Sequence, residues 1–381
     1  METEKRIEIT KYFEEVKAKE ENEEYEGYKC SLAEVLTICI LGSLCGLKNM
    51  KQIHQWSINE RSKNLLKSHF GITHIPCYFW QLTLMQRIKV ESLNECFINW
   101  VTSLLPEDKD LTISFDGKTV CSTSKLSGYE KPLHIVSAHI AQLGITFGSL
   151  ATEDKSNEIP TVRELIKLLD ISGCLVVADA LNCQKDTAEA IIDAEADYLL
   201  NVKDNHETLK EDIEDYVQDE VLKREMDSAR TVEKNRGRLE ERTAYVTNEI
   251  EWLYGKEDWK DLTTIGAINR VFTDKSGETS ETWHYFISSR DLSAEQLLEH
   301  ARLEWSVEVM HWLLDVHYTE DSCRVADKAG QKNLNKIRKI ALNLHRQFKT
   351  KTASKRPMSN VMFDCLLDPE MILEVLAGAT S

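Results

Sequence analysis

Three acidic residues, far apart in the chain, have the type and local setting that phosphodiester chemistry on divalent metal ions needs. Asp116 closes the strand-like run 111–115 and Asp179 closes the short apolar run 174–178. Each is therefore a lone acid at the C-terminal end of a strand, where open α/β sheets present their ligands. Glu308 lies in HARLEWSVEVMHWLLDVHYTED, residues 300–321, which reads as one helix. Two strand-end aspartates and a helical glutamate make an all-oxygen set suited to two Mg2+ ions, which can activate a water or 3′-hydroxyl and stabilise a leaving oxygen. Each acid also has a plainer reading. Asp116-Gly117 between two strand-like runs is a hairpin-turn signal, Asp179 could cap the helix beginning near Gln184, and Glu308 could sit on a surface helix with a solvated acidic face.

The helix of Glu308 carries two stripes. At 100° per residue Trp305, Val309, Trp312 and Val316 fall on one apolar line, which predicts a face turned to the core. Glu304, Glu308, His311 and Asp315 fall on a second line about a quarter-turn away, which predicts the edge of a cleft.

The elements that would position these residues follow from periodicity. Residues 1–106 read as a helical domain, with an apolar helix at 32–47 and an amphipathic one at 79–105 after the break at Pro76. Strand-like runs at 111–115, 134–140 and 145–151 come next, then a helix at 161–170, a strand at 174–178, a helix at 184–195 and a strand at 198–202. That order predicts a ribonuclease H-like mixed sheet with flanking helices, interrupted after residue 204. Residues 205–288 begin charged and helical to 232 and then show strands at 238–246, 263–272 and 282–288, a β-rich insertion. Residues 289–350 return to helix, including a second, basic helix at 331–349, and 351–381 form a tail.

Composition narrows the class. With 381 residues, 42% of them hydrophobic and only 21 Pro plus Gly, the chain is expected to be globular and helix-rich. The apolar run 32–47 contains Glu34 and is too short to span a bilayer, and the N-terminus METEKRIEIT is no signal peptide, so a cytoplasmic protein with no membrane partner is expected. The ten cysteines stand singly, without zinc spacing, and read as small apolar residues. The net charge of −17 hides a local excess. Residues 324–356 hold eleven Lys or Arg against the single acid Asp327, the footprint of a localised phosphate-binding surface. Lys332, Lys336, Lys339 and Arg346, off the apolar face of the basic helix, are its candidate DNA contacts.

The segments FDGKTV, ADALNCQKDTAEAIIDAEADYLLNVKDNHETL, RGRLEER and EWSVEVMHWLLDVHYTEDSCRVADKAGQKNLNKIRKIALNLHR resemble, in order, successive motifs of the DDE insertion-sequence transposases of the ISAs type, which include the H-repeat-associated proteins of Rhs elements. The resemblance covers nearly the whole chain. It implies a ribonuclease H-like catalytic domain in which Asp116, Asp179 and Glu308 form the DDE triad and bind two Mg2+ ions, with Mn2+ able to substitute. It implies DNA partners, the terminal inverted repeats and the target, a homodimer when assembled on DNA, and a cytoplasmic protein that joins the nucleoid when bound. Lys118, Gln184, Lys203, Asn205, Arg238, Glu240, Trp305, His311, Asp315 and Asp321 match further motif positions. Among them Lys118, Lys203 and Arg238 are implied DNA contacts, and His311 and Asp315, with Glu304, are implied supports of the triad.

The chain departs from the family pattern at Glu304 and Val309, where the family has His and Asn, at His206, where it has Gln, and at Arg236, where it has His. Glu304 sets two carboxylates four residues apart with Glu308, a repulsive spacing that a metal ion would relieve. Two rivals keep the scaffold, a DNA-binding relative that has lost catalysis and acts as a regulator or relic, and a nuclease that hydrolyses without strand transfer.

Overall fold

The computed structural model describes residues 8–19, 30–107, 109–120, 132–152, 155–235, 237–323 and 325–378; Arg236 and Arg324 lie outside them. Among the described residues six helices come first: α1 (Glu8–Phe13), α2 (Leu32–Leu44), α3 (Met50–Ser57), α4 (Glu60–Phe70), α5 (Tyr78–Arg87) and α6 (Val90–Thr102). The Ser31/Glu34 capping box starts α2, and its apolar run is buried on every side from Val35 to Leu44. The amphipathic stretch predicted as one helix at 79–105 is two, α5 and α6, with extended backbone at Ile88 between them.

Next come β1 (Thr112–Val120), β2 (Leu133–Ile140), β3 (Ile145–Thr152), α7 (Glu158–Leu168), β4 (Leu175–Ala178), α8 (Lys185–Asp193) and β5 (Asp197–Val202). In the sheet they are ordered β3-β2-β1-β4-β5, with β1, β4 and β5 parallel and β2 and β3 antiparallel. This is the ribonuclease H-like arrangement that the element order predicted. The helices α9 (Glu207–Gln218) and α10 (Glu220–Glu225) precede four long strands, β6 (Asp227–Asn235), β7 (Arg238–Thr247), β8 (Thr264–Thr273) and β9 (Thr279–Ser288). Residues 227–232, read in the sequence as the end of a charged helix, belong to β6. The four strands continue the same sheet, because β9 pairs antiparallel with β5 and the order runs on as β9-β8-β7-β6.

The chain closes with α11 (Ala294–Glu304), α12 (Ser306–Tyr318), α13 (Lys328–Lys351), α14 (Met358–Leu367) and α15 (Pro369–Gly378). One apolar cluster reaches from Phe13 through β1–β5 to Leu376. At its centre lies α13, which contacts α2, α5, α6, α15 and β3.

Two expectations fail here. The helix predicted at 300–321 is broken at Trp305 into α11, which packs on β6, β7, β1 and β4, and α12, which packs on β1, β2 and α13. A straight helix cannot follow both halves of a twisted sheet. The core stripe is also the wrong one. Trp305, Val309, Trp312 and Val316 are 54%, 49%, 59% and 47% exposed, while Val307, Met310, His311, Leu313, Leu314 and Tyr318 are buried.

The basic helix gives the second correction. Lys336, Arg338 and Lys339 are 5%, 4% and 1% exposed, so α13 is buried around nearly its whole circumference. Lys336 Nζ donates to Asn94 Oδ1 (2.5 Å), Ser149 Oγ (2.7 Å) and the Ser149 carbonyl (2.9 Å), and lies over the Phe97 ring. Lys339 Nζ donates to Ser137 Oγ at 2.8 Å. Burial lowers both ammonium groups, Lys336 well below its usual range and Lys339 to about 8. Neither reaches a DNA phosphate. Arg346 is half-buried, with Nε donating to the Gly144 carbonyl at 3.2 Å, and Lys332 lines a groove of about 610 Å³ shared with Glu91, Glu95 and Glu164. Three of the eleven cations, Lys336, Arg338 and Lys339, are thus held in the core, while Lys328, Lys351, Lys355 and Arg356 are exposed.

Candidate active site

The register of two parallel strands sets the site. Phe115 on β1 pairs with Ala178, the last residue of β4, so Asp116 and Asp179 are the next residues along neighbouring strands, about 4.8 Å apart in the sheet. Asp116 is neither in a hairpin turn nor at the end of its strand, as the sequence had suggested. Strand β1 runs on to Val120 against β2, with Asp116 opposite Ser137, and it is β4 that stops. Asp116 is left open on the β4 side.

One face of β1 is bolted to the last part of α11 and to α12. Ser114 Oγ donates to the Leu303 carbonyl (3.2 Å), Asp116 Oδ2 lies 3.3 Å from His311 Nε2, and Lys118 Nζ lies 2.5 Å from Asp315 Oδ1. The match is geometric. Two residues of a strand advance about 6.7 Å and four residues of a helix about 6 Å, so Asp116/Lys118 keep step with His311/Asp315. Lys118 is half-buried, with its Nζ fully covered, and also reaches Glu320 Oε2 at 2.9 Å, so it is a strut between β1 and α12 and no DNA contact. Glu320 is 2% exposed and accepts from Asn335 Nδ2.

Asp179 is held by its own loop. Its Oδ1 accepts from the backbone N–H of Asn182 (3.2 Å) and from Asn182 Nδ2 (3.1 Å), so it caps a turn and not the helix α8, whose N-cap Gln184 makes no side-chain cap. Asn205 Nδ2 donates to the carbonyls of Ala180 (2.9 Å) and Cys183 (3.3 Å), and His206 Nε2 donates to the Cys183 carbonyl (2.8 Å). The pair Asn205-His206, singled out only as a motif position, therefore braces the loop that aims Asp179.

Asp116, Asp179, Glu304 and Glu308 all line one cavity of about 340 Å³, with Phe115, Ile268, Phe286, Leu298 and Trp305 as its apolar parts. The same cavity is also lined by the cations Lys203, Arg242, Arg270 and Arg302 and by His284, from β7–β9, from α11 and from the residue that follows β5. Of these, the sequence pointed to Lys203. Arg242 and Arg270 are direct cross-strand partners on β7 and β8, a like-charge pairing that costs stability unless an acid bridges it. Glu240 does so, 2.9 Å from Arg242 Nη2 and in contact with Arg270 Nε, while Glu233 holds Arg302. Only the register could reveal the pair. Arg238 is exposed at the start of β7, about 13 Å along the strand from Arg242. Asn201, on β5 and 7% exposed, is among the residues that line the cavity, and its buried Oδ1 has no hydrogen-bond partner.

Crowding of carboxylates is read most clearly at Glu304. Burial, then the charge of Asp179, then Glu308 and Asp116, partly offset by Lys203, push its carboxyl up to about 7. A raised acid favours the folded state below its unfolded value near 4.5 and loses that contribution as pH rises through 7. Glu304→Gln is therefore expected to stabilise the metal-free protein by roughly 2–3 kcal/mol at pH 8, with the gain vanishing near pH 4. Urea unfolding at the two pH values reads this directly.

The oxygen-only donor set and the orphaned Asn201 Oδ1 are what a hard divalent ion uses. No three His, Cys, Asp or Glu side chains among the described residues converge closely enough to hold an ion as they stand. An ion would have to draw the carboxylates together.

A ribonuclease H-like sheet carrying two aspartates on neighbouring parallel strands, with a helical glutamate on the same cavity, defines a class of nucleic-acid-processing folds. Sequence comparison gives the family. A family model described as "Transposase DDE domain" matches residues 112–344, and a model for the region associated with that domain matches residues 11–101. The chain belongs to the DDE-domain transposase family. It is 30% identical over 355 residues to YhhI, an H repeat-associated candidate transposase of Escherichia coli (strain K12), covering 91% of this chain and 93% of that one. It is 31% identical over 364 residues to YncI, a candidate transposase of Escherichia coli O157:H7, covering 92% and 90%. Among solved structures it is similar to a piggyBac transposase synaptic complex with hairpin DNA, at TM-score 0.45 and 10% identity, over 97% of this chain and 78% of that one.

Proposed function

We propose that the chain is a transposase that binds the terminal inverted repeats of its element and carries out metal-dependent DNA strand cleavage and strand transfer at Asp116, Asp179 and Glu308. The observation that carries this reading is the β1/β4 register, which makes Asp116, within β1, and Asp179, just past β4, immediate neighbours on the wall of a cavity that Glu308 of α12 also lines. Two Mg2+ ions, with Mn2+ able to substitute, would be held by these three carboxylates and would supply activation of a water or 3′-hydroxyl and stabilisation of the leaving oxygen. The His311 imidazole stands beside the Asp116 carboxylate, and the Asn182, Asn205 and His206 bonds hold the loop of Asp179. Lys203, Arg242, Arg270 and Arg302 take the phosphates flanking the scissile bond. The protein acts in the cytoplasm, on the nucleoid, as a homodimer assembled on DNA; among the described residues no helix is long and apolar enough to cross a membrane.

The test is incubation of purified protein with end-containing DNA and Mg2+ or Mn2+. Nicked and joined products that EDTA suppresses are expected; hydrolysis without joining supports a nuclease. Specific binding with no product under any metal supports a DNA-binding relative that has lost catalysis, the reading that the fourth carboxylate, Glu304, favours.

The cationic wall gives a separate prediction. Arg242→Ala with Arg270→Ala should weaken DNA binding and reduce the slope of log K against log salt by about 1–2, since each phosphate left without its cation accounts for about 0.9 of that slope. Fluorescence anisotropy across a salt series measures it, and an unchanged slope removes these arginines from the interface.

A further inference from the structure

Near the end of the chain, α14 leaves an apolar face without a partner. Phe363, Leu366 and Leu367, at spacings of three and four, share one side of the helix and are 57%, 41% and 55% exposed, whereas Met358, Val361, Met362 and Cys365 are buried. Among the described residues none of the three exposed side chains belongs to an apolar cluster. Beside this ridge lies a groove of about 470 Å³ between α3 and α4 on one side and α14 and α15 on the other. Trp56, Leu65 and Ile372 supply apolar lining, and Leu366 and Leu367 belong to ridge and groove alike. Contiguous apolar surface of this kind marks an interaction site.

Charge selects the occupant. Residues 45–70, which include α3 and α4, carry the exposed cations Lys48, Lys51, Arg61, Lys63 and Lys67 against Glu60, and Arg61 lines the groove. Residues 357–381 carry Asp364, Asp368, Glu370 and Glu374 and no Lys or Arg. Asp364 is paired with Arg356 at 2.5 Å, and none of the ion pairs among the described residues takes up Asp368, Glu370 or Glu374. Carboxylates on this side repel phosphate, so neither DNA nor an anionic lipid surface suits the ridge. A ridge and a groove side by side, one edge acidic and the other basic, are instead complementary to themselves. A two-fold axis along their boundary seats the ridge of each copy in the groove of the other and sets each acidic edge against the other's basic edge. We propose that this face joins two copies of the chain in the absence of DNA and metal. The centre of the contact is apolar and its rim charged, the usual anatomy of a protein interface. The chain then meets DNA already as a dimer, a step earlier than assembly on the DNA itself.

The experiment is sedimentation velocity of the full chain, free of DNA and divalent metal, at micromolar concentration. Wild type should sediment as a dimer. Leu367→Glu, a change at an exposed position, should weaken association by at least about thirtyfold, the scale of a central interface contact, and keep the far-UV circular dichroism of wild type. Arg61→Glu and Glu370→Lys should each weaken association severalfold, and the two together should restore it, which a folding defect does not do. Should Leu367→Glu lose the wild-type spectrum, the charge reversals decide. A monomeric wild type overturns the inference, as does a dimer indifferent to Leu367→Glu and to both charge reversals. If Arg61→Glu loses DNA binding in anisotropy with no change of mass, the face belongs to DNA and the inference falls. Strand cleavage is measured separately on end-containing DNA, so its failure overturns the proposed function and leaves the dimer standing.

Discussion

Asp116→Asn is expected to abolish metal-dependent strand cleavage, by on the order of a thousandfold or more, while the protein stays folded and still binds DNA. Metal ions at such a site are worth several kilocalories per mole of transition-state charge stabilisation, and each 1.36 kcal/mol is a factor of ten in rate. Asn keeps the shape of Asp116 and one oxygen near His311 Nε2, now 3.3 Å away, but removes the negative charge that an ion needs. The strand pairing Asp116↔Ser137 uses backbone atoms alone, so β1 is untouched. Gel analysis of labelled ends with Mg2+ and with Mn2+ is the measurement. Wild-type cleavage by the variant would remove Asp116 from the chemistry, and with it the reading of the whole cavity.

Glu320→Ala should cost about 3–5 kcal/mol of stability, the typical penalty for stripping one partner from a buried ionic network. Glu320 is 2% exposed and lies among Lys118, Asn335 and Lys339. Removing it leaves the cations of Lys118 and Lys339 facing each other in the interior. Burial alone would raise the Glu320 carboxyl, but Lys118 and Lys339 more than offset this and hold it below its usual 4.5. A depressed acid contributes its stability above the unfolded value, and that contribution disappears as pH falls through the folded value. The gap between wild type and Glu320→Ala in urea unfolding should therefore be widest above pH 4.5 and should shrink on acidification. A variant as stable as wild type at pH 7 would show that the network is not what ties β1 to α12 and α13.

The same network explains why charge counting along the basic segment misleads. Counting along 324–356 detects lysines and arginines but not which side of a helix is covered, and α13 is covered on all sides by α2, α5, α6, β3 and α15. Buried lysines survive there because Asn94, Ser149, Ser137 and Glu320 wait for them, from elements up to 242 residues away in sequence. The stripe of Trp305, Val309, Trp312 and Val316 failed for a related reason. Helical periodicity states that those residues share a face; it does not say whether core, solvent or a ligand lies opposite. A second apolar line, through Val307, Met310, Leu314 and Tyr318, was equally present and is the one buried.

By itself the sequence determined the strand-helix order of the core and pointed to three carboxylates, two beside strands and one on a helix, because these follow from local periodicity and from motifs that are continuous in the chain. Only the tertiary structure decided what surrounds them. The β1/β4 register makes neighbours of residues 63 positions apart, the β7/β8 register sets Arg242 against Arg270, and β9 pairing with β5 carries that cationic wall to the carboxylates. Register and helix burial are set by contacts between distant segments, so the carboxylates could be named from the chain while their counter-charges could not.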